Sequence, residues 1–193
     1  MKKYILSIVL IFLLILKSNA HVDHYSKYNY LEYELFRNNK LIGYHKYEFK
    51  RNGSNLTIEN EVSFKIKKLG VVLYNYYATG IEKYNEGNFS GFNSETNQNK
   101  KLKYVNITID PVDKNLIIDG SSFKGEVDKD IIIGTWWNHE IVQKNAQISA
   151  VSGRIIKQKV EFKGKEEVKI GDKTYKTLRF NFSSSDPSLS KDK

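Results

Sequence analysis

Between Leu56 and Ile66 the side chains alternate with a period of two. Leu56, Ile58, Asn60, Val62, Phe64 and Ile66 form one parity, and Thr57, Glu59, Glu61, Ser63 and Lys65 form the other. Successive strand residues point to opposite faces, so such a segment is a β-strand with one face buried and one in water. The same alternation runs through 28–36, 42–49, 71–82, 102–109, 155–162 and 175–182. Between these segments lie Asn38-Asn39, Asn52-Gly53, Asn85-Glu86-Gly87, Asp119-Gly120 and Gly171-Asp172, residues that accept the positive φ of tight hairpin turns. Strands joined by such turns imply an antiparallel meander. Pro111 and Pro187 are the only prolines, so little interrupts strand pairing.

A sheet with one apolar face must close into a barrel, pack as a sandwich or curl around something. The expectation is an all-β fold: an antiparallel curled sheet or open half-barrel over residues 21–182. Short helical or loop structure is expected near 128–147, followed by a disordered or shortened tail over 183–193. The chain has no cysteine, which removes disulfides, thiol chemistry and thiolate metal sites.

Residues 1–20 read as an export signal. Lys2 and Lys3 precede an apolar run from Ile5 to Leu16, and Ser18 and Ala20 supply small side chains for a signal peptidase. Cleavage after Ala20 would start the mature chain at His21 and place it in the periplasm. The alternative is an uncleaved anchor, although Lys17 interrupts the run before spanning length. The leader carries three of the nine net positive charges of the whole chain. The remaining lysines alternate with Glu and Asp, as on solvated strand faces, so no nucleic-acid footprint is expected. A basic surface of this kind favours anionic head groups or cell-wall polymers, and thus peripheral envelope association.

Several short motifs carry a family resemblance: Leu41-Ile42-Gly43-Tyr44-His45, Lys67-Lys68-Leu69-Gly70-Val71, Thr135-Trp136-Trp137-Asn138, Ser152-Gly153-Arg154 and Gly171-Asp172. In this order and spacing the chain resembles DUF6134, a family of exported proteobacterial proteins known as a domain of unknown function. The resemblance implies a half-barrel similar to periplasmic carriers of lipidated proteins, and it implies no activity. It also implies a further pair of aromatic strands after Phe182. The chain instead runs into Ser183-Ser184-Ser185-Asp186-Pro187-Ser188, so a shortened C-terminus is expected.

Four histidines are available for chemistry: His21, His24, His45 and His139. His21 and His24, with the mature amine, are a weak candidate set for copper or zinc and otherwise a solvated leader. His45 shares its parity with Tyr47 and Phe49 and is expected inside the sheet, as a hydrogen-bonded core residue or as a base. Both tryptophans lie in Gly134-Thr135-Trp136-Trp137-Asn138-His139-Glu140. In a strand the two rings would face opposite ways, so a loop or helical start is expected, one ring plugging the sheet and the other lining its mouth. Asn138 is placed to cap a short helix from His139. His139-Glu140 lacks the second histidine of a zinc-protease helix, and no nucleophile elbow or phosphate loop occurs. No cofactor is implied.

The resulting reading is an exported, non-catalytic β protein whose concave face binds a hydrophobic or lipid-like ligand, with Trp136, Trp137, Asn138, His45 and Tyr47 as candidate contacts. Two other readings compete. One is an envelope hydrolase acting on glycans or esters, with His45 or His139 as base, which a histidine and a carboxylate converging in one pocket would support. The other is a structural or interaction module, which a long exposed edge strand would support.

Overall fold

A computed structural model describes residues 25–184, and the alternating segment at 56–66 lies in the third strand of an eight-stranded sheet. The strands are β1 (Tyr30–Arg37), β2 (Lys40–Asn52), β3 (Asn55–Lys68), β4 (Val71–Asn85), β5 (Asn88–Gln98), β6 (Lys101–Ile109), β7 (Leu116–Gly120) and β8 (Lys124–Val127). They follow one another in chain order, and each pairs antiparallel with the next. The sheet is the expected meander and does not close into a barrel. Turns supply the positive φ that the hairpins need, at Asn38 and Asn39, Gly53, Leu69 and Gly70, Glu86 and Gly87, and Asn99 and Lys100. Among the described residues there is no α-helix.

The chain then folds back over the inner face of this sheet. β9 (Ile132–Ile133), a 3₁₀ turn (His139–Gln143) and β10 (Ala146–Ile148) fill the region expected to be irregular. The long hairpin of β11 (Ile155–Ile170) and β12 (Lys173–Ser184) completes a second sheet in the order β12-β11-β10-β9. Here the meander expectation needs correction, because β9 and β10 run parallel. Ile133 and Ile148 must both enter the same core, and the intervening 134–145 is long enough for the crossover that parallel pairing requires. Buried glutamines hold this crossover. Gln147 Nε2 donates to Gln158 Oε1 at 2.7 Å, and Gln158 Nε2 donates to the carbonyls of Ile141 and Lys144, both at 3.0 Å. The strand β12 also continues to Ser184, two residues past the expected domain end.

Two clusters form the core. Val105, Ile107 and Ile118 of the large sheet pack with Ile133 and Ile148 of the small one. Tyr47, Phe49, Leu56, Ile58 and Tyr84 surround Trp137. Ile58, Val105 and Ile148 are fully buried, and burying each such side chain contributes about 1.5–3 kcal/mol. Together these residues cover one half of the inner face. The other half, toward the β1–β2, β3–β4 and β5–β6 turns, receives no such cover. There Phe64 stacks between Tyr76 at 4.9 Å and Tyr74 at 5.8 Å, and Tyr33, Phe36 and Leu41 are all more than half exposed.

Candidate functional site

The boundary between the covered and open halves is the segment 134–138, and a buried carboxylate fastens it. Glu82 lies on the inner parity of β4, between Tyr84 and Gly80, and is 2 % exposed. Its Oε2 accepts from Thr135 Oγ1 at 2.9 Å and from Trp137 Nε1 at 2.8 Å, and its Oε1 accepts from the Tyr84 hydroxyl at 2.5 Å. Burial pushes the Glu82 carboxyl above the ordinary carboxylate range, and the bonds from Tyr84, Trp137 and Thr135 pull it partly back. From the neighbouring strand β2, the Tyr47 hydroxyl donates to the Thr135 carbonyl at 2.6 Å. Two side chains and one carbonyl of the segment thus pin it to β2 and β4.

This bracket separates the two tryptophans. Trp137 is 3 % exposed and sits edge-on to Phe49 and Tyr84, each at 5.8 Å, and to Tyr25 at 5.6 Å. Trp136 is 56 % exposed, has a φ of 67° and meets Phe182 of β12 edge-on at 5.2 Å. One ring is therefore a core plug and the other lies at the rim, as their adjacency suggested. Asn138 Oδ1 accepts from the Glu140 backbone N–H at 2.9 Å and caps the 3₁₀ turn that starts at His139.

His45 faces inward with Tyr47, whose ring centroid is 4.3 Å away. Its Nδ1 is 3.4 Å from the Tyr47 hydroxyl. Burial lowers its pKa to about 4, so at neutral pH the ring is uncharged. It lines a cavity of about 140 Å³ with Val62, Tyr76, Phe92, Thr96 and Trp136. No Asp or Glu lines that cavity. Glu82 and Asn138 instead line a separate one of about 350 Å³, together with Tyr84, Glu140 and Lys144 but no histidine. Of the five candidate residues, His45 and Trp136 share the first cavity and Asn138 reaches the second. Tyr47 and Trp137 belong to the packing between them.

A depression of about 640 Å³ lies on the outer face, lined by Glu48, Glu59, Glu61, Glu95 and Lys46 among others. These are ordinary polar-face residues: Lys50 Nζ is 2.7 Å from Glu59, and the Tyr44 hydroxyl donates to Glu61. Among the described residues no group of three or more His, Asp or Glu could hold a metal ion. His21, His24 and the leader 1–20 lie outside the described residues, as does 185–193.

Sequence reasoning missed Glu82, Thr135 and Tyr84. A signal for Glu82 was present, since it is the one acid on an otherwise apolar or small parity running Tyr84, Glu82, Gly80, Ala78, Tyr76.

Fold and site together define an open, eight-stranded antiparallel β-sheet whose inner face is covered in part by a smaller sheet and its crossover. The chain belongs to the family described as a domain of unknown function (DUF6134), whose model matches residues 33–192. No curated protein and no solved structure matches it.

Proposed function

We propose that this is an exported, non-catalytic protein that binds a hydrophobic or lipid-like ligand on the open half of its inner face. The observation that carries the reading is the row Phe64, Tyr74 and Tyr76, half-buried and stacked, which continues the inner face beyond the two buried core clusters. Apolar side chains left contiguous at a surface are the feature by which interaction sites are recognised. The cavity beside His45 has room for the end of an alkyl chain, and at about 140 Å³ it is smaller than the roughly 300–1,000 Å³ of a pocket enclosing a whole ligand. The remainder of the ligand would lie along Phe64, Ile66 and Tyr33, with Trp136 closing one side.

The placement of ionisable groups supports binding over hydrolysis. His45 is neutral and shares its cavity with no carboxylate, while Glu82 already accepts from three donors. A general base needs a proton to take within hydrogen-bond reach and a partner to orient it. Native mass spectrometry of protein recovered from the envelope of its own cells tests the reading. A bound species with the mass of a lipid or fatty acid is expected, and a bare polypeptide mass under conditions that retain lipid on a known carrier would refute it.

A further inference from the structure

The antiparallel order brings the turns 38–39, 69–70, 99–100 and 121–123 to one end of the large sheet, and the first three carry its basic charge. The first carries Arg37 and Lys40, the second Lys65, Lys67 and Lys68, and the third Lys100, Lys101 and Lys103. Residues 35–44, 64–76 and 96–104 contain no Asp or Glu, so nothing within these tips offsets the charge. Interleaved with the lysines are exposed apolar side chains. Phe36 and Leu41 are each 58 % exposed, Val71 is 63 %, Leu102 80 % and Leu69 95 %.

The turns at the opposite end show that this is not general surface composition. Turns 53–54, 86–87 and 110–115 include Glu86, Asp110 and Asp113, and Val112 is the one exposed aliphatic side chain among them. Scattered exposed apolar residues need no explanation, but here they are concentrated on three neighbouring tips of one sign of charge.

Leu69 is the most informative of them. It has a φ of 50° and precedes Gly70 at 82°, the geometry of a tight hairpin turn that favours Asn before Gly. A leucine pays strain in the left-handed region and here gains no packing in return. Its position makes sense if the side chain is buried by something outside the chain.

We infer that these three tips form a docking face for an anionic lipid surface, with Leu69 and its apolar neighbours entering the headgroup layer while the lysines pair with phosphates. Exposed apolar groups flanked by Lys and Arg are the features that hold peripheral proteins on membranes. A nucleic acid would use the lysines and leave Leu69 idle. The inference does not rest on the ligand reading, although the open inner face begins at the same end.

Residues 21–193, which keep every described element, can be sedimented with vesicles of phosphatidylcholine alone or with about one-third phosphatidylglycerol. Binding is expected only to the anionic vesicles and should weaken with added salt. Leu69→Asn suits the turn better, so it should leave thermal stability unchanged or raised while weakening vesicle binding roughly tenfold. Replacing Lys65, Lys67 and Lys68 together with Gln should weaken it by about fivefold per residue. Val112→Asn with Lys114→Gln, at the far end, should change nothing. Equal binding to neutral vesicles, indifference to both tip variants, or duplex DNA binding that ignores Leu69→Asn while vesicle binding does the same would overturn the inference.

Discussion

Replacing Trp137 with alanine should come close to unfolding the protein, whereas the same change at Trp136 should be tolerated. Trp137 is 3 % exposed and touches three aromatic rings edge-on. Truncating a buried tryptophan costs about 3–5 kcal/mol. The loss also removes one of two donors to Glu82 Oε2, and a hydrogen bond to a charged group contributes about 1.5–3 kcal/mol. These terms overlap, so roughly 5 kcal/mol is expected for Trp137→Ala, against a total stability of about 5–15 kcal/mol for a typical domain. Trp136 is 56 % exposed, with one ring contact, to Phe182, so Trp136→Ala should cost under about 1 kcal/mol. Urea unfolding followed by far-ultraviolet circular dichroism measures both without relying on the altered fluorophores. Trp137→Phe keeps most of the ring and removes the N–H; combined with Glu82→Gln, the two losses should be less than additive by at least about 1 kcal/mol. Equal costs at 136 and 137, or strict additivity between 137 and 82, would refute the bracket that fixes the segment 134–138.

Two further outcomes follow from the inner face. His45 has a pKa of about 4 in the folded protein and about 6.5 when unfolded, so in that interval the unfolded chain binds the extra proton and stability falls as the pH drops. His45→Gln removes this contribution. The wild-type stability minus that of the variant should be flat above about pH 6.5 and decline below it, while the opposite trend from Glu82, whose raised pKa favours the fold at low pH, cancels in the difference; parallel curves would contradict the assignment. Gly43 admits no side chain, because a Cβ would lie 1.9 Å from the Ser63 carbonyl oxygen and 2.6 Å from Phe64 Cα. Gly43→Ala should therefore cost about 1–3 kcal/mol and raise amide exchange in the β2–β3 ladder, and unchanged exchange there would show that the strands separate freely.

How much of this could be read from the chain depends on where one neighbour decides a residue's face. The segment 56–66 alternates cleanly because β2 and β4 flank it and only one side is covered. Asn138 announced its cap because the capping bond is local. By contrast, β5 escaped notice because its inner face carries Ser94 and Thr96 beside Phe92, and polar residues on both parities leave no period to see. The far part of β11 is exposed on both faces, with Lys165, Glu166 and Glu167 in succession, so burial imposes no pattern on it. The parallel pairing of β9 with β10 depends on two isoleucines fifteen residues apart meeting one core, and nothing local encodes that. Glu82 was visible as an odd residue on its parity. Its role was not, because Thr135 and Trp137 reach it from more than fifty residues away.

The two indole N–H resonances of the uniformly ¹⁵N-labelled protein test the central claim most directly, since Trp136 and Trp137 are the only tryptophans. Titration with a long-chain fatty acid below its micellar concentration should move the Trp136 signal to saturation, with nearby shifts at Val62, Phe64 and Tyr76, and leave the Trp137 signal fixed on Glu82. A Trp136 signal that stays still, or a Trp137 signal that moves in its place, would contradict a ligand site on the open half of the inner face.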